Sequence, residues 1–113
     1  MHEMPIVRKI VKIAERHARE NGAKIVKRLV LQIGELSSVV PDAVRLCYPM
    51  CTDETILKNA VLEIEIVPAI GICQQCSGEY NLVKNEFKCP ECQSEKWEIS
   101  SGRELLIKEI EVV

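Results

Sequence analysis

Residues 73–92 read CQQCSGEYNLVKNEFKCPEC, two Cys-x-x-Cys pairs with 12 residues between them. Two residues between thiolates let one tight turn aim both sulfurs at a single ion. Two such turns complete a tetrahedral four-sulfur shell, which suits Zn²⁺ at about 2.3 Å; rubredoxin-like iron fits the same shell. With Cys73, Cys76, Cys89 and Cys92 all used as ligands, no position remains for water, so the metal is structural and stabilises its own surroundings. The enclosing segment, residues 71–102, is turn-rich with one short alternating piece at 79–83. Its 32 residues fall below the ~40 at which a domain usually stands without a cross-link or metal. It reads as an inserted module. Tyr80, Phe87 and Trp97, three of the four aromatics, are expected to pack around the metal as its small core.

Outward from this segment the chain is ordinary. Residues 60–67 (AVLEIEIV) alternate with period two and form a strand with Glu63 and Glu65 toward water, and residues 105–113 (LLIKEIEVV) form another. Residues 4–21 place Ile6, Val7, Ile10, Val11, Ile13, Ala14 and Ala18 at three- and four-residue steps, an amphipathic helix. Pro5 suits its first turn and Gly22 the left-handed position just past its end. Residues 23–33 (AKIVKRLVLQI) read as a strand closed by Gly34. A second helix starts near Pro41 and is expected to kink or stop at Pro49, resuming through Cys51 to Leu57. The division that follows is an α/β domain from residues 1–70 plus 103–113, and a metal module from 71–102.

Composition narrows the function. The 113 residues carry 15 Lys+Arg against 17 Asp+Glu, with 47% hydrophobic and 28% charged side chains, which excludes disordered, collagen-like and membrane-spanning chains. No signal-like start precedes the first helix, so a cytoplasmic protein is expected, and there thiols point to metal or redox chemistry before disulfides. Residues 71–113 carry a net charge of −3, which disfavours a nucleic-acid partner.

The chain opens Met1-His2-Glu3. The terminal amine, the His2 amide nitrogen and the His2 imidazole close fused five- and six-membered chelate rings. Planar nitrogen donors favour Ni²⁺ or Cu²⁺, and the Glu3 amide or carboxylate supplies a further position. His17 suits a helix surface better than a ligand role. Cys47 and Cys51, four apart, suit core packing better than a soft-metal or redox pair.

Met1-His2-Glu3, the stretch Leu31-Gln32-Ile33-Gly34-Glu35-Leu36, the four-cysteine module and the strand after Gly102-Arg103-Glu104-Leu105 together resemble the HypA/HybF family of hydrogenase maturation proteins. The resemblance implies an α+β fold: a mixed three-stranded sheet with two helices on one side, and a zinc-ribbon-like module inserted before the last strand. It also implies a nickel metallochaperone that serves the [NiFe]-hydrogenase large subunit together with a GTPase partner, HypB. Nickel would fall to Met1, His2 and Glu3, and zinc to Cys73, Cys76, Cys89 and Cys92. The module holds no histidine, so it cannot supply a second imidazole for nickel, and His17 would have to substitute or a non-histidine donor serve. A zinc-ribbon adaptor for protein or RNA, and an iron-based redox protein, are the competing readings. No nucleophile, base and acid coincide, so no enzyme is expected. Exposed sheet edges leave a homodimer open.

Overall fold

The computed structural model describes residues 3–113; Met1 and His2 lie outside the described residues. Helix α1 (Glu3–Glu20) buries Val7, Val11, Ala14 and Ala18, the inner side of the predicted stripe. Pro5 lies in its first turn, and Gly22 follows it with φ +76°, a conformation that costs glycine little. Strand β1 (Val26–Gly34) starts three residues later than the sequence pattern suggested. Helix α2 (Pro41–Thr52) then crosses back and leads through a turn to β2 (Val61–Val67), which pairs parallel to β1. The last strand, β6 (Leu105–Val112), pairs antiparallel on the other side, giving the order β2-β1-β6.

Leu29, Leu31 and Ile33 of β1 form one core with Val7, Val11, Ala14 and Ala18 of α1, with Val44, Cys47, Tyr48 and Cys51 of α2, and with Leu57. Across this core the Glu15 carboxylate of α1 accepts the Ile56 N–H at 3.0 Å. The other face of the sheet is polar. There Arg28 donates to Glu111, Glu63 and Glu109 at 2.8, 2.7 and 3.1 Å, and Lys108 pairs with Glu65 at 2.9 Å.

Helix α2 departs from expectation, running without a break through Pro49 and ending at Thr52. Pro49 removes the bond to the Arg45 carbonyl, and both residues lie on the exposed side of the helix, where a lost backbone bond costs least. The apolar contacts of Val44, Cys47, Tyr48 and Cys51 hold the other side in register.

Between β2 and β6 a second, antiparallel sheet is interposed: β3 (Ile70–Cys73), β4 (Glu79–Asn81) and β5 (Trp97–Ser101), in the order β4-β3-β5. Only β4 was visible as an alternating piece. The two chain passages into and out of this sheet are clamped by residues 34–36. Gly34 N–H donates to Glu104 O at 2.7 Å, Glu35 N–H to Val67 O at 2.8 Å, and Leu36 N–H to Gly102 O at 2.7 Å. The Glu35 carboxylate takes the Ala69 N–H at 2.9 Å, and Leu36 packs into the small core beyond. A Cβ on Gly34 would lie 2.1 Å from the Gly102 carbonyl oxygen, so glycine is required for the clamp to close.

Candidate metal centre

The four-cysteine stretch folds into two near-identical knuckles. In the first, Ser77 N–H donates to Cys73 O (2.9 Å) and Cys73 N–H to Gly78 O (2.8 Å); in the second, Gln93 N–H donates to Cys89 O (2.8 Å) and Cys89 N–H to Ser94 O (2.9 Å). Ser77 and Gln93, each just after a second cysteine, take left-handed φ values of 65° and 66°. The knuckles face one another so that all four Sγ atoms lie within 4.8 Å. Cys73 and Cys92 approach to 3.5 Å, as do Cys76 and Cys89. A tetrahedral shell with ~2.3 Å bonds has edges of about 3.8 Å, so the set fits one thiolate-bound ion with minor adjustment.

The electrostatics agree with that fit. The Cys73 sulfur accepts the Cys76 and Gln75 N–H groups at 3.5 and 3.4 Å, which pull its pKa down to about 6 against the opposing effect of burial. At Cys92 the Ser94 N–H favours the thiolate, but the Cys73 thiol, burial and the remaining cysteines outweigh it and push the pKa up to about 12. One thiolate forms readily and opposes the others, a repulsion that a cation relieves. Cys73 and Cys89 are buried at 1% exposure each, while Cys76 and Cys92 face solvent.

The aromatics divide. Tyr80 is buried and Trp97 partly so in the module core with Ala69, Leu82, Leu36 and Ile99. Phe87 does not join that core: it sits 38% exposed, its ring 5.8 Å from that of Trp97. It follows a turn at Glu86 in which both residues have positive φ, which turns the side chain outward.

At the other end of the molecule, Glu3 begins α1. Its carboxylate is buried and accepts the Val40 N–H at 3.4 Å, ahead of α2. Next to it the Cys51 thiol lies 3.4 Å from the Met4 sulfur. Cys47 and Cys51 are both buried, free thiols on the core side of α2. His17 is exposed four turns along α1 and lines a groove of about 410 Å³ with Ile13, Asn21 and Ile107. Fourteen residues at the helical rise separate it from Glu3 by about 21 Å, so the two lie at opposite ends of α1. Sequence reasoning missed the clamp at residues 34–36, although the Gly34-Glu35-Leu36 run had marked the place.

A small α/β sheet carrying a four-thiolate module on a clamped stalk defines a metal-handling class of protein, and comparison with known sequences agrees. The family profile described as "Hydrogenase/urease nickel incorporation, metallochaperone, hypA" matches residues 1–112. The chain belongs to this HypA family of metallochaperones. It is 46% identical over 112 residues to the hydrogenase maturation factor HypA of Nostoc punctiforme, covering 99% of this chain and 96% of that one. It is 42% identical to the factor of the same name from Geotalea uraniireducens, with 99% of each covered. The solution structure of the Ni metallochaperone HypA from Helicobacter pylori superposes with a TM-score of 0.70 at 25% identity, over 98% of this chain and 97% of that one. A second HypA solution structure gives 0.73 at 26% identity, covering 100% and 97%. Among the described residues, no helix is long and apolar enough to cross a membrane.

Proposed function

We propose that this chain carries Ni²⁺ for assembly of the [NiFe]-hydrogenase active site, holds Zn²⁺ on Cys73, Cys76, Cys89 and Cys92, and catalyses no reaction of its own. The observation that carries the nickel reading is the start of α1. Glu3 lies in its first turn, where backbone amides have no acceptor within the helix, while the Glu3 carboxylate is already engaged by Val40. Residue 3 therefore offers its amide nitrogen, next in line after the Met1 amine, the His2 amide and the His2 imidazole. Such a set is planar and nitrogen-rich, the donor type that suits Ni²⁺. The Glu3–Val40 and Met4–Cys51 contacts hold the base of this chain end against α2.

Zinc, once bound, ties the two knuckles and supplies no open coordination position. The division of labour follows the two donor sets, with nickel exchange at the chain end and a slow structural metal in residues 71–102, the rest forming the α/β domain. The names of the relatives favour hydrogenase over urease as the destination. Delivery to the hydrogenase large subunit with a HypB-type GTPase, in the cytoplasm, fits this reading.

The test is a nickel titration of untagged protein by calorimetry, with bound zinc assayed in parallel. One labile Ni²⁺ is expected; it disappears in His2→Ala and in a variant extended at the N-terminus, while zinc stays. Nickel affinity should also fall with falling pH, because imidazole and amide nitrogens bind only after losing protons. Nickel binding retained in both variants would sink the assignment.

A further inference from the structure

Tyr80 is 6% exposed, and its hydroxyl is the buried side-chain polar atom that finds no hydrogen-bond partner among the described residues. It sits on β4 opposite Gly71 of β3. Gly71 and Cys73 are two apart on that strand and share a face, so the ring belongs beside the first knuckle. Tyr80 is packed in one buried cluster with Ala69, Cys73, Leu82 and Cys89, flanked by Leu36, Trp97 and Ile99. These side chains offer no oxygen acceptor; the Cys73 and Cys89 sulfurs are the side-chain acceptors of the cluster, and neither accepts from the hydroxyl as the four thiols stand. A thiol accepts weakly, but a metal-bound thiolate is charged, and hydrogen bonds to charged groups are the strong ones.

We infer that Tyr80 is a positioning residue for the metal centre, its hydroxyl donating to a metal-bound thiolate of Cys73 or Cys89 and so slowing loss of the ion. The inference rests on the zinc reading of the four-cysteine cluster. The alternative role, a ring that merely fills space, leaves a buried hydroxyl unpaired, which is costly. A phenol ordinarily keeps its proton at neutral pH, so the hydroxyl acts as a donor, not a fifth ligand.

The two roles predict opposite signs for Tyr80→Phe, which keeps the ring. The zinc-loaded full chain is mixed with a chromophoric chelator and the rate of zinc transfer is followed. The same proteins are loaded with Co²⁺ and the sulfur-to-cobalt charge-transfer band is recorded. Tyr48→Phe is the control, because the Tyr48 hydroxyl donates to Ala60 O outside the module. Losing a bond to a charged thiolate should speed zinc transfer roughly tenfold in Tyr80→Phe. The freed thiolate becomes a stronger electron donor, so the cobalt band should move to longer wavelength, a change that altered stability alone does not produce. Tyr48→Phe should match the unmodified chain in both. Transfer at an unchanged or slower rate, with the band unmoved, overturns the role given to Tyr80. An unmodified chain that holds no zinc and gives no tetrahedral cobalt spectrum overturns the metal reading itself.

Discussion

Ser77 and Gln93 show how much of the metal centre is decided by single backbone positions. Each stands directly after a knuckle's second cysteine with φ near 65°, where a Cβ crowds the adjoining carbonyl. Serine tolerates this little better than glutamine does, and only glycine escapes it. Gln93→Gly should therefore stabilise the metal-loaded protein by roughly 0.5–1 kcal/mol, the relief of strain less the added freedom of the unfolded chain. The shift of the guanidinium midpoint, followed by Trp97 emission, measures it; an unchanged or lower midpoint would show that the turn is not strained. The cysteine spacing alone was enough to bring the four thiols together on paper, because a two-residue gap has few ways to fold. The left-handed residue after each pair was not legible, since neither Ser77 nor Gln93 is a type that advertises positive φ.

Among the elements, legibility followed the length of the apolar pattern. α1 was readable over its whole course because its stripe spans four turns and is bounded by Pro5 and Gly22. β3 and β5 were not: β3 is four residues long and runs into the first cysteine pair, and β5, WEISS, has too few apolar positions to alternate. α2 defeated the proline rule because the lost bond lies on the wet side. The polar face of the main sheet gives a prediction of its own. Arg28 holds the Glu111 carboxyl below the usual range, and Lys108, then Gln32, does the same to Glu65. Both groups bind protons more readily when the chain is unfolded, so their contribution is present above the ordinary carboxylate range and is lost as pH falls through the depressed folded values. Each pair is solvent-screened and individually small. The melting temperature should decline from about pH 5 to pH 2, and Arg28→Met should flatten that decline. An identical slope in the variant would mean that the network contributes nothing.

The whole molecule is long and thin. Its radius of gyration is 17.4 Å and its extents are 54 × 29 × 17 Å, against about 13 Å for a compact chain of this length. The excess length comes from placing two small cores end to end with the residue 34–36 clamp between them, so each core must be stable largely by itself. The larger has two helices to cover its sheet, whereas the smaller has five buried residues, two of them cysteines. Removing the metal with a strong chelator should therefore melt the small core and leave α1, α2 and the main sheet folded. The sole tryptophan, Trp97, lies in β5, so its emission should shift to longer wavelength while the helical circular dichroism signal persists. Simultaneous loss of both signals would show one cooperative unit instead.

Interposing the small sheet before β6 also sets an order of assembly. β1 and β2 are made early and can pair at once, but β6, which brings Glu109 and Glu111 to Arg28, is synthesised last and must return across residues 68–104. An ion that joins Cys73 to Cys92 short-circuits about half of that span, and each halving of a loop lowers its closure cost by about 0.6 kcal/mol. A metal bound at the cysteines before β6 docks would therefore lower the closure cost of the final strand.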